Sequence, residues 1–222
     1  MTQRAMPRDG WSDLAIQYLI DRCALMDSNN FEGNCGVGER EGRIISRLVQ
    51  QRNNGLAHGI GRSGDVNALQ PKAIGSSLIV KLTKAMALHC LRKVMSMPFV
   101  NELIVLPFAT GMSITMTLLT LKAEKPQAKF VIWPRIDQKT CLKAISAANL
   151  TPIVIEPTLD GEELQTNLEG VKEALQKYGS EVLAIASTTS CFAPRAIDNV
   201  VELAKMAKAA DVFHLVNNAY GL

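Results

Sequence analysis

The sequence predicts an α/β fold built on a mostly parallel sheet, and three observations point there. Short apolar runs recur at Leu103–Leu106, Phe130–Trp133, Ile153–Ile155, Val182–Ala186 and Val212–Val216. Helical patterns lie between most of them, at Met112–Leu121, Thr140–Ala148, Asn167–Lys177 and Asp198–Ala210. Strand, helix and strand at this spacing make right-handed crossovers between parallel neighbours. The 222 residues are 47% hydrophobic, enough for a real core. No linker composition interrupts the alternation.

In chain order, residues 1–57 read as a helical, loop-rich segment and residues 58–222 as the α/β domain. Met1 to Trp11 is polar and carries Pro and Gly, the composition of a loose arm. Ser12 can cap a helix whose apolar face is Ile16, Leu19, Ile20, Cys23 and Met26. Asp27-Ser-Asn-Asn30 ends it. The stretch Phe31 to Arg43 then holds four glycines and five charges, an irregular loop before a helix bearing Ile44, Ile45, Leu48 and Val49. Read alone, Glu39 and Arg40 are ordinary exposed charges near that helix start. Thr166 followed by Glu169 is a capping-box signature, and Asp198 is placed to cap the helix after it.

The domain is organised around His58-Gly-Ile-Gly-Arg-Ser-Gly-Asp65 and the residues up to Ser77. Glycines at 59, 61 and 64 let successive backbone N–H groups approach a ligand. Arg62 and Ser63 add a guanidinium and a hydroxyl, and Gln70 an amide. A helical pattern from Leu78 follows, so the loop delivers an anion toward a helix N-terminus. By local chemistry alone an ordinary turn fits equally well. The pattern is neither a Walker loop nor a dinucleotide fingerprint, since no G-x-x-x-x-G-K-[ST] occurs and no strand precedes it.

Composition excludes several classes. A net charge of +3 does not by itself mark a nucleic-acid binder. The five cysteines are dispersed, with no C-x-x-C pair, and the three histidines are equally scattered. Neither a structural metal site nor a disulfide framework is expected. No signal peptide is evident, and the apolar runs look too short and interrupted to span a bilayer.

Ligands of parallel sheets gather outside the carboxyl ends of the strands. The residues there are Pro107 to Ser113, Pro134 to Lys139, Glu156-Pro157, Ser187 to Phe192 and Asn217 to Gly221, polar at four of the five ends. The first run ends in Ala109-Thr-Gly-Met, which suits a phosphate better than a dinucleotide. No nucleophile elbow frames Ser187 or Ser190. A phosphate cup together with an acid or amide after a later strand is the layout of a pyridoxal-phosphate site, which also needs a lysine to carry the aldehyde.

Several ordered blocks now carry a resemblance: Gly33-Asn-Cys-Gly-Val-Gly-Glu-Arg-Glu-Gly42, His58 to Asp65, Gln70-Pro-Lys72, Ala109-Thr-Gly-Met-Ser113, Trp133-Pro-Arg-Ile-Asp-Gln-Lys139, Ser187-Thr-Thr-Ser-Cys-Phe-Ala-Pro-Arg195 and Val216-Asn-Asn-Ala-Tyr-Gly221. From about Pro7 onward the chain resembles the O-phosphoseryl-tRNA(Sec) selenium transferase family, the selenocysteine synthases of eukaryotes and archaea. The resemblance implies the large domain of a fold-type I pyridoxal-phosphate enzyme. Its reaction would eliminate phosphate from phosphoseryl-tRNA(Sec) and add selenium from selenophosphate. It further implies that 61–71 is the phosphate loop, with Arg62, Ser63 and Gln70 holding the substrate phosphate. Arg40 would contact the cofactor phosphate, and Glu39 would repel ligands carrying a free α-carboxylate. Ala109, Thr110 and Gly111 would line the cofactor cup, with Gln138 and Asn218 near its ring.

By the same resemblance the Schiff-base lysine, a second substrate arginine and a small C-terminal domain lie beyond Leu222. The chain alone is then expected to be inactive, and Lys72 and Lys139 are decoys rather than carriers. A homotetramer, tRNA binding and a cytoplasmic setting are implied as well. Two other readings stay open: a small-molecule enzyme of the same fold, such as a desulfurase or decarboxylase relative, and a non-catalytic tRNA-binding or scaffold subunit.

Overall fold

A computed structural model describes residues 5–33, 44, 46–57, 68–189 and 195–220. Contacts divide the chain into two units, Met1–Val105 and Leu106–Leu222, so the stretch from 58 on is grouped with the first unit as far as Val105.

In the first unit, helix α1 (Asp13–Ala24) starts where Ser12 predicts, with its hydroxyl accepting from the Ala15 N–H at 3.3 Å. Of its expected apolar face, Cys23 is buried, while Ile16 and Met26 stay exposed. The second helix, α2 (Arg47–Arg52), is shorter than expected and begins after Ile44 rather than with it. Helix α3 (Ile74–His89) continues through one π-helical turn, Cys90–Val94. Together they make a 21-residue helix in which an 18-residue window has a mean hydropathy of 1.3. By length and composition that is enough to cross a bilayer, contrary to the expectation from the apolar runs. Lys81 and Lys84 stand in its middle, where a bilayer would penalise them.

The crossing of α1 and α3 is set by Gly75. A Cβ there would lie 1.6 Å from the backbone oxygen of Cys23, so the two backbones meet only because residue 75 has no side chain.

The second unit is the expected α/β layer structure. It contains α4 (Thr110–Glu124), β1 (Phe130–Pro134), α5 (Lys139–Ala147), β2 (Thr151–Ile155), β3 (Thr158–Asp160), β4 (Glu163–Gln165), α6 (Leu168–Tyr178), β5 (Val182–Thr188), α7 (Val200–Ala209) and β6 (Phe213–Asn217). The main sheet has the order β2-β1-β5-β6, all pairs parallel. Alternate strand residues serve two cores. Val131 and Trp133 pack with Ile114 and Leu118 of α4 and with Cys141 and Ile145 of α5. Ile132 and Ile185 pack with Val171 of α6 and Leu203 of α7.

Two expectations fail here. Leu103–Leu106 forms no strand. A strand exists only where a neighbour completes its ladder, and no described segment pairs with this run; Ile104 and Val105 are exposed. Conversely, β3 and β4 make an antiparallel hairpin that was not expected. Three-residue strands are too short to show a period, and Gly161, at φ +60°, supplies the turn.

Candidate active site

The chain passes from β1 outward to β2 and then returns to β5 on the other side of β1. That reversal puts a topological switch point between β1 and β5, where ligands of doubly wound sheets bind. The ladders leave room there. β1 pairs with β2 as far as Pro134 and Ile155, and β5 with β6 as far as Thr188 and Asn217, but β1 and β5 are paired only to Ile132 and Ile185. Their carboxyl ends separate.

Helix α4 enters this rim. Its cap position, Ala109, is extended and no side chain among the described residues caps the helix, so the first-turn N–H groups face an anion with the positive end of the helix dipole. Ala109 and Thr110 are exposed. Gly111 is needed for close approach, because a Cβ there would come 2.8 Å from the Thr140 methyl group. That contact joins the starts of α4 and α5. Gln138, the residue before α5, is extended and half-buried with no capping bond from its side chain. The structure therefore brings Ala109, Thr110, Gly111 and Gln138 to neighbouring helix starts.

Asn218 follows β6 and is exposed. Its Oδ1 accepts a hydrogen bond from the Thr189 hydroxyl, and the Thr189 N–H donates to the Asn217 carbonyl at 3.1 Å. Thr189 thus fixes which face of the amide Asn218 presents. The neighbouring Asn217 is a second amide at the same strand end. It lines a narrow cleft with Thr188, Ile114 and Cys141, and its Nδ2 lies 3.5 Å from Cys141 Sγ. Burial pushes the Cys141 thiol above its ordinary pKa, against the opposing effect of hydrogen bonds with Asn217 and Thr188, so the group stays a protonated, unreactive thiol.

Gln70 belongs to the first unit, half-buried, with its N–H donating to Ser77 Oγ at 3.0 Å. Glu39, Arg40, Arg62 and Ser63 lie outside the described residues. Lys72 and Lys139 are both exposed.

A buried ion pair supports the rim from the α6/α7 side. Arg195 Nη2 meets Asp198 Oδ1 at 2.6 Å, with the side chains 4% and 0% exposed. Asp198 Oδ2 accepts from the Thr188 N–H at 2.8 Å, Oδ1 also accepts from the Thr166 hydroxyl at 2.9 Å, and Arg195 Nη1 donates to the Arg135 carbonyl at 2.7 Å. One pair thereby ties the ends of β1 and β5. Asp198 and Thr166 are consequently not the helix caps the sequence suggested. Asn167 caps α6 through the Gly170 N–H and Asn199 caps α7 through the Glu202 N–H. No local pattern marks the Arg195–Asp198–Thr166–Thr188 cluster, whose members come from the end of β5 and from the segments before α6 and α7.

This architecture is a doubly wound α/β sheet flanked by helices, with its open rim at the strand carboxyl ends. The family model for O-phosphoseryl-tRNA(Sec) selenium transferase, SepSecS, matches residues 26–222. An O-phosphoseryl-tRNA(Sec) selenium transferase of Dictyostelium discoideum is 46% identical over 225 residues, covering 100% of this chain and 47% of the relative. The Caenorhabditis elegans protein of that name is 42% identical, covering 99% and 46%. The crystal structure of an archaeal O-phosphoseryl-tRNA(Sec) selenium transferase superposes with a TM-score of 0.90 at 30% identity, over 99% of this chain and 50% of that one. The chain belongs to the O-phosphoseryl-tRNA(Sec) selenium transferase family. It spans about half the length of the curated relatives it matches.

Proposed function

We propose that the intact protein carrying this chain exchanges the β-phosphate of O-phosphoseryl-tRNA(Sec) for selenium from selenophosphate, with pyridoxal phosphate as cofactor. The observation that carries the reading is the uncapped start of α4 at Ala109-Thr-Gly, on the carboxyl rim of the sheet, in a chain of this family.

The residues present fit the cofactor. A phosphate suits the free first-turn N–H groups and the Thr110 hydroxyl, with Gly111 keeping that turn close to α5. Arg40 adds a guanidinium. Gln138 and Asn218 supply amides for the ring, and the Thr189 hydroxyl on Asn218 Oδ1 holds that amide in one orientation. When bound, the cofactor supplies an electron sink that lets the seryl α-proton and then the β-phosphate leave.

The other assignments concern the substrate. Arg62, Ser63 and Gln70 hold the departing phosphate. A guanidinium does this through two parallel charge-assisted hydrogen bonds that a lysine cannot reproduce. Glu39 opposes any ligand with a free α-carboxylate, whereas an aminoacyl ester has none and passes. The partners are tRNA(Sec) bearing phosphoserine, selenophosphate and further copies of the same chain in a homotetramer, in a cytoplasmic setting.

Arg62→Ala in the intact protein tests the phosphate assignment. Phosphate release from phosphoseryl-tRNA should fall by about a hundredfold or more, as expected when a charged partner of the transferred group is lost. The cofactor absorbance of the loaded protein should be unchanged. Normal turnover by the variant would overturn the assignment.

A further inference from the structure

The turn after α1 carries a fully buried carboxylate that the proposed chemistry does not use. Asp27 is 0% exposed. Its Oδ1 accepts from the Ser76 N–H at 2.9 Å. Its Oδ2 accepts from the Ser76 hydroxyl and, at 3.4 Å, from the Ala57 N–H. The backbone of Asp27 forms an antiparallel bridge with Ala73, and the Ser28 N–H donates to the Lys72 carbonyl at 2.7 Å.

The next two side chains of the turn reach the opposite flank. Asn29 Nδ2 donates to the Ala57 carbonyl. Asn30 Nδ2 donates to the Gly55 carbonyl at 2.8 Å and to the Ala24 carbonyl at 2.8 Å. Four consecutive residues, Asp27-Ser-Asn-Asn30, thus hold two stretches far apart in sequence, Gly55–Ala57 and Lys72–Ser76. Gly75 brings the α3 backbone onto α1 at the same place, and Gln70, just upstream, is fixed through Ser77 Oγ.

We infer that Asp27 is a positioning residue for the substrate-phosphate group Gln70: it clamps together the two flanks from which Gln70 is presented. This rests on the proposed function for the identity of the ligand, but the clamp is built wholly from described residues on either side of 58–67. The geometry explains why a carboxylate is required. The two backbone donors sit on different oxygens, Ser76 N–H on Oδ1 and Ala57 N–H on Oδ2. An asparagine has one oxygen and one NH2 group, so in either orientation it turns a donor against one flank. A buried donor left facing another donor is costly and the flank lets go. The Ala57 contact is the longer, so that flank releases first.

The test is Asp27→Asn in the intact, cofactor-loaded protein, with Ser77→Ala as a milder second variant that removes only the acceptor of the Gln70 N–H. Each should raise KM for phosphoseryl-tRNA by about tenfold with kcat within about twofold, the pattern of lost ground-state binding. A merely structural role would lower the amount of active enzyme and leave KM alone, which would overturn the inference. If Asp27→Asn does not fold, an unchanged KM in Ser77→Ala overturns it equally. Failure of the functional reading looks different, because the wild-type protein would then not turn over phosphoseryl-tRNA at all. In that case amide hydrogen exchange decides. Loss of protection in Asp27→Asn at Ala57, with or without loss at Ala73, supports the clamp, and loss at Ala73 alone or at neither contradicts it.

Discussion

His214 stands on β6 with Nε2 2.8 Å from Ser187 Oγ, and Lys205 and Lys208 of α7 line the groove beside it. Burial lowers its pKa, against the attraction of the Asp198 carboxylate. An unfolded histidine titrates near about 6.5, so below that pH the unfolded chain binds the extra proton first. His214 therefore costs the fold nothing above about pH 7 and weakens it as pH falls through about 6.5 toward the lower folded value. His214→Gln should flatten the acid side of the stability profile, read from denaturant midpoints across pH; parallel wild-type and variant profiles would contradict this. Residue-level reading of the sequence was uneven for a physical reason. Ser12 was legible because a cap acts over three residues. Asp198 and Thr166 looked like caps for the same reason, and yet the Asp198 carboxylate is taken by Arg195, the Thr188 N–H and the Thr166 hydroxyl, while Thr166 Oγ1 accepts from the Asn199 N–H, 33 residues along the chain. Asp27 appeared only as the polar end of a helix, since its partners lie 30 and 49 residues away.

At the scale of elements, the crossing of α1 and α3 depends on a single missing side chain. Gly75→Ala would place a Cβ 1.6 Å from the Cys23 carbonyl oxygen, and backbone cannot step aside as a rotamer can. The variant should lose about 3 kcal/mol or more of local stability, seen as faster amide exchange throughout both helices, with unchanged exchange counting against the close crossing. The four strands of the main sheet were legible as short apolar runs, buried on both faces in β1 and β5 and only partly buried in β2 and β6, and their helices because the 3.6-residue period survives over two or more turns. Leu103–Leu106 has the same composition and forms no strand, since composition reports a wish for burial and not the presence of a neighbour. The β3–β4 hairpin was missed for the opposite reason: its exposed residues, such as Leu159 at 69%, follow turn chemistry instead of a core.

For the molecule as a whole, the mostly parallel sheet and the rim of strand ends were both anticipated from the alternation of runs, whereas the strand order was not, and the roles proposed for the rim residues needed the blocks shared with a family. In the second unit α4 opens uncapped beside α5, Thr189 orients Asn218, and Arg195–Asp198 ties the ends of β1 and β5. In the first unit Ser77 Oγ holds the Gln70 N–H, and Asp27 holds the flank that follows it. The central claim is that these residues serve a phosphoserine carried as an ester on tRNA. The most direct measurement is the phosphate that leaves the seryl β-carbon, followed by an isotope label on that phosphate alone, as the intact protein loaded with pyridoxal phosphate and given selenophosphate acts on phosphoseryl-tRNA(Sec) and on free phosphoserine side by side. The account predicts rapid release from the tRNA ester and little from the free amino acid, whose α-carboxylate meets Glu39. Equal rates from the two, or release from neither, would contradict it.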